Sequence, residues 1–189
     1  MVDDVLKSFE NSRSTTKTLF SFSFGYPSSN SATATAATTT HLSNQKYEIC
    51  VRRAAGYCYI CWAAWNSIQA TASFGVSTAL TDNDKAATDS GCLTDYITIP
   101  AGTTAAIAAT TTPAEGVERI CGRQFSNIVD DDSTTVCSRG YPFRLGVTFD
   151  ANEVCTAAAA ANTCETNLAI ASMPGGIIGF ALGFVQNTC

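Results

Sequence analysis

The chain has 189 residues, 46% hydrophobic and only 14% charged, a balance that supplies a core and argues against disorder throughout. A formal net charge of -5 and a sequence pI near 4.7 repel phosphate backbones, and no basic stripe interleaved with aromatics occurs, so nucleic acid is a poor candidate partner. Nine cysteines would be hazardous as free thiols, and the economical reading is an oxidised, extracellular protein.

The start, Met1-Val-Asp-Asp-Val-Leu-Lys7, has neither a basic leader region nor a continuous apolar run, so the numbering is read as that of a mature or partial chain. Val2, Val5, Leu6 and Phe9 fall on one side of a helix, which allows a short helix from Asp3 to about Glu10 or a plain lead-in; residues 1–17 are read as an extension and 18–189 as one domain. Phe20, Phe22 and Phe24 alternate with Ser21 and Ser23, the period of a strand with one buried face, and Gly25-Tyr-Pro27 ends it. Ser28 to Thr40, Thr103 to Thr112 and Thr156 to Asn162 are dominated by small residues and read as surface loops or weak strands.

Tyr47, Ile49 and Val51 alternate with Glu48, Cys50 and Arg52, while Ile60 and Trp62 continue a second run beyond the turn that Gly56 permits. This predicts a hairpin stapled by Cys50 and Cys58. Trp62 and Trp65, with Tyr57 and Tyr59, form either an aromatic contact patch for a partner or core on one face and rim on the other. Ala72, Phe74 and Val76 suggest a strand, Thr81 to Asp89 an acidic loop and Asp130 to Asp132 an acidic turn.

Cys92 stands ahead of Tyr96-Ile-Thr-Ile99, residue types that suit a pleated half-buried surface, and Pro100 and Gly102 stop the run. The Ala-, Thr- and Gly-rich spacer Ala101 to Glu118 leads back to Arg119-Ile-Cys121-Gly122. A disulfide closing that loop would stabilise by roughly 3 to 4 kcal/mol in the loop-entropy model. Phe143, Leu145, Val147 and Phe149 alternate with small or polar residues, as do Ile178, Phe180, Leu182 and Phe184. Together these predict an all-β, two-layer antiparallel sandwich with long loops and strands near 19–24, 47–53, 58–64, 71–76, 95–99, 143–149 and 178–185. The apolar segment Ile177 to Val185 is too short to span a bilayer, which needs about 20 residues.

Catalytic chemistry finds little purchase. His41 is the single histidine, and its spacing to Asp89-Ser90-Gly91 is too short for a two-barrel serine protease, so that tripeptide reads as a surface turn. Cys58-Tyr-Ile-Cys61 has redox or zinc spacing but sits among strands with no further ligands nearby, which favours disulfides. The chain is read as a non-enzyme.

Cys92-Leu-Thr-Asp95-Tyr96-Ile-Thr-Ile99 followed by Arg119-Ile-Cys121-Gly122 resembles the CUB domain, an extracellular β-sandwich of jelly-roll type. The phrase Ile49-Cys50-Val-Arg-Arg-Ala-Ala-Gly56-Tyr-Cys58-Tyr-Ile-Cys61-Trp62 is similar to CUB-like ectodomains of arthropod secreted proteins. Phe149-Asp150 and Gly179-Phe-Ala-Leu182-Gly-Phe184 resemble the family's last core strands, so the likeness runs from about Thr18 to Cys189, with no counterpart for 151–174. It implies a Cys92–Cys121 disulfide. It also implies a calcium option, with Asp95 and Asp150 at the positions of two of three acidic ligands and Ala86 and Ala87 where the glutamate would stand. The alternative is Asp95 as a buried acceptor for loop amides, and no tight calcium site or other cofactor is expected.

Further pairings expected are Cys155–Cys164, and Cys61–Cys137 because Cys137 opens the approach to the Phe143 strand. Cys189 is then left over, as a free thiol or a bond to another chain, and Cys189 or the N-terminal segment is expected near a contact. The function expected is a noncatalytic extracellular binding or structural module with a protein partner or a second copy. The alternatives are a noncatalytic regulatory part of a secreted protease and a small-molecule carrier.

Overall fold

The computed structural model describes residues 16–20, 41–64, 74–76, 86–109, 116–122, 124–129, 135–151 and 179–189. These form ten strands: β1 Thr16–Phe20, β2 Gln45–Val51, β3 Tyr57–Ala64, β4 Phe74–Gly75, β5 Ala86–Thr88, β6 Tyr96–Gly102, β7 Val117–Gly122, β8 Thr135–Ser138, β9 Phe143–Phe149 and β10 Gly179–Thr188. A single turn of helix, α1, spans Ala105–Ala108. The strands make two antiparallel sheets, one in the order β1-β10-β3-β8 with β4 also on β10, the other β2-β9-β6-β7-β5. This is the two-layer, all-β sandwich that the alternating runs predict.

The inward positions of both sheets close on each other. Ile60 and Trp62 from β3 and Phe180, Leu182 and Phe184 from β10 meet Phe143, Leu145 and Val147 from β9, Ile97 and Ile99 from β6 and Ile120 from β7. Each such side chain removed from water contributes about 1.5 to 3 kcal/mol. Arg144, on the opposite side of β9, instead faces solvent and pairs with Glu48 across the strand at 3.2 Å. No helix among the described residues is long and apolar enough to cross a membrane.

Several local readings change. The predicted β2–β3 hairpin does not form, because β2 pairs with β9 in one sheet while β3 pairs with β10 and β8 in the other. The turn at Gly56, with φ of +83°, therefore carries the chain across the sandwich rather than back along the same sheet. Cys50, alternating outward on β2, is exposed and free, and Cys58 is bonded to Cys189, whose strand β10 lies beside β3. The expected Cys50–Cys58 staple and the spare Cys189 are both replaced by this bond. Its 131-residue separation would cost an open chain about 5 kcal/mol of closure entropy.

Cys61 is joined to Cys137 across the β3–β8 pair, and Cys92 to Cys121 on the other sheet. The Cys155–Cys164 expectation lies outside the described residues, as do the Asp3–Glu10 helix, Phe22, Phe24, Trp65, Asp130 to Asp132 and the small-residue tracts 28–40 and 156–162. Strand β6 runs on through Pro100 to Gly102, where a stop was expected. The register on β7 shifts between Thr98 and Gly102, so the missing proline N–H falls in an irregular stretch where no ladder bond is lost. Within the expected acidic loop 81–89, residues Ala86–Thr88 form β5 against β7. Three buried or half-buried small residues carry no alternation from which to read a strand.

Candidate functional site

β2, β9 and β6 are neighbours in one sheet, with Gln45 opposite Phe149 and Tyr96 opposite Thr148. Antiparallel pairing therefore brings the segment before β2, the end of β9 and the segment before β6 to one end of the sandwich. His41, Asp150 and Asp95 occupy these positions. The imidazole of His41 lies flat on Phe149, with ring centroids 3.9 Å apart and planes 22° apart. Its Nε2 is 2.9 Å from the Val76 carbonyl oxygen and 3.3 Å from Asp95 Oδ2, and Nδ1 is 3.4 Å from the Leu42 carbonyl.

All three are oxygen acceptors, so each contact calls for a ring N–H, and Nε2–H is directed at the Val76 carbonyl. The side chains of His41 and Asp95 are each 0% exposed. A polar pair sealed from water is held by its partners rather than by solvent, and removing either member leaves the other's buried polar atoms without that contact. Oδ2 has no well-directed hydrogen bond, because Nε2–H is aimed at Val76; its approach to His41 is a short polar contact. The other oxygen, Oδ1, accepts from the Asp150 backbone N–H at 2.6 Å, and the Asp150 carbonyl accepts from Asn44 N–H at 2.5 Å.

Asp95 thus serves as a buried acceptor for a loop amide. The two acids of the calcium option, Asp95 and Asp150, adjoin at this end of the sandwich, and among the described residues they offer a poor donor set for the ion. One carboxyl group is enclosed and committed to an imidazole and an amide, and Ala86 and Ala87, where the resemblance would put the third acid, are buried on β5 and carry no ligand atom in their side chains. Among the described residues no cluster of three or more His, Cys, Asp or Glu is placed to hold a metal.

The remaining candidate residues are dispersed. Trp62 is 0% exposed and packs against Phe184 at 5.5 Å, so it belongs to the core and not to a partner surface. Asp89-Ser90-Gly91 is a turn in which Asp89 Oδ1 accepts from the backbone N–H groups of Glu118 and Arg119. That carboxylate ties the β5 end to β7 and has no contact with His41. Sequence reasoning missed the His41–Asp95 pair, because 54 positions separate the two and only the sheet order joins them. It also assigned Cys50 to a bond with Cys58, although the β2 alternation points that thiol outward.

An antiparallel sandwich of two five-stranded sheets, braced by disulfides and with a sealed polar pair at one end, defines the class as a two-layer, jelly-roll-like β-sandwich domain. The model of the animal CUB domain matches residues 13–187, and the chain belongs to that family. Its members are generally extracellular protein-interaction modules. No curated protein matches the chain.

Proposed function

We propose that this chain is a noncatalytic extracellular module that joins proteins within a secreted assembly. The observation that carries the reading is the fate of His41. The only histidine in the sequence is 2% exposed and spends both ring nitrogens on Leu42, Val76 and Asp95, leaving no imidazole for acid–base work at a surface. Three disulfides support an oxidising location. Trp62, Phe74, Phe125, Phe143 and Phe180 fill the interior, which favours a binding module over a carrier with an internal cavity.

The test is native mass spectrometry of the chain isolated from its extracellular source, followed by crosslinking. A stoichiometric complex with a nonprotease protein or with further copies is expected. A monomer throughout, or a protease domain linked to the chain, would overturn the reading.

A further inference from the structure

The turn between β2 and β3 builds a second feature far from the His41 pair. Cys50, Arg52, Arg53, Gly56, Tyr141 and Pro142 are among the residues lining an open groove of about 580 Å³. The backbone of this turn is rigidly tied. Gln186, 6% exposed on β10, donates from Nε2 to the Arg52 carbonyl at 3.0 Å and accepts from Ala54 N–H on Oε1 at 2.8 Å. Tyr57 N–H returns to the Ala54 carbonyl at 3.2 Å, and Cys189 N–H reaches the Gly56 carbonyl beside the Cys58–Cys189 bond. A buried amide that spends both ends on one surface turn orders it before any ligand arrives, which lowers the entropic cost of binding there.

Among the described residues the charge on this turn is unmatched. Arg52 and Arg53 are exposed, and neither has a carboxylate partner among the described residues, whereas Arg144 nearby is paired with Glu48. Arg53 lies over the ring of Tyr141, 5.1 Å from its centroid, and Tyr141 is itself 74% exposed. Two guanidinium forks beside an exposed aromatic ring and a proline suit a ligand carrying carboxylates next to apolar side chains.

We infer that this groove docks an acidic segment of a polypeptide partner. The inference rests on the reading of the chain as a protein-binding module and names the chemistry of the partner. A sulfated polysaccharide is the weaker match, because two arginines on a chain of net charge -5, with Glu48 on the same face of β2, do not make the extended basic track a polyanion needs.

The experiment titrates the isotope-labelled full chain by NMR with three probes: a capped hexapeptide alternating Val and Glu, the same peptide with Lys for Glu, and a heparin hexasaccharide. The acidic peptide is expected to shift amides of residues 50–56, Tyr141 and Phe143 and to slow alkylation of Cys50. Arg52→Gln/Arg53→Gln is expected to weaken it by about tenfold or more, the loss of charge-assisted hydrogen bonds. Arg144→Gln, which removes a paired charge, should change it less than about twofold. Equal binding of the lysine peptide, tighter binding of the hexasaccharide, shifts that map elsewhere, or indifference to the double substitution would each overturn the inference. So would loss of self-association in the double variant with no response to the peptide, which would assign the groove to a second copy. A native complex that survives the double substitution removes the groove and leaves the binding-module reading standing; absence of any complex removes that reading instead.

Discussion

His41 Nε2 lies 3.3 Å from Asp95 Oδ2 with both side chains wholly out of water, and this contact ties the segment ahead of β2 to the segment ahead of β6. It does so where the family resemblance would place a cation between acidic residues. Removing the imidazole leaves a buried carboxyl group with one amide partner and an empty space against Phe149. His41→Ala is therefore expected to cost about 1 to 3 kcal/mol in urea unfolding of the oxidised protein, the cost of leaving a buried polar group unsatisfied. His41→Ala/Asp95→Ala should cost less than the sum of the single changes, and simple additivity would show that the two side chains do not act as a pair.

Calcium should leave stability untouched. Asp95 is enclosed and already engaged, and alanines stand where the family resemblance would put the third ligand, so neither saturating calcium nor a chelator is expected to move the Tm. A calcium-dependent rise measured by calorimetry would contradict this account of the site.

Digestion without reduction is expected to link the Cys58 peptide to the C-terminal peptide ending in Cys189, and brief alkylation of the native protein should label Cys50. Cys58→Ser/Cys189→Ser should lower stability by up to about 5 kcal/mol, since it frees the longest disulfide loop. A Cys50–Cys58 crosslink would mean that β2 and β3 are a hairpin after all.

Gly116 marks a close approach. A Cβ there would stand 2.5 Å from the Gly102 carbonyl oxygen and 2.6 Å from the Ala101 carbonyl carbon, both backbone atoms at the irregular end of β6. Gly116→Ala is expected to destabilise by about 1 to 3 kcal/mol through forced backbone displacement. Thermal unfolding unchanged from the parent chain would show that this end of β6 yields freely.

Two of the core strands were legible from the residues, because a half-buried strand must place apolar groups at every second position: Phe143 to Phe149 and Phe180 to Phe184 do so without interruption. The same rule put Tyr47, Ile49 and Val51 inward and Cys50 outward. The acid at Asp95 and the bond from Cys92 to Cys121 were readable through the family motif. Alternation is a property of one strand at a time, however, and carries no information about which strand lies beside it. Only the tertiary structure decided that β2 and β3 part into different sheets, that Cys189 rather than Cys50 reaches Cys58, and that Trp62 is sealed inside. The meeting of His41 with Asp95, and of Gln186 with the Arg52 turn 134 positions away, was likewise decided there, because sheet order and the packing of two layers bring distant positions together with no local trace.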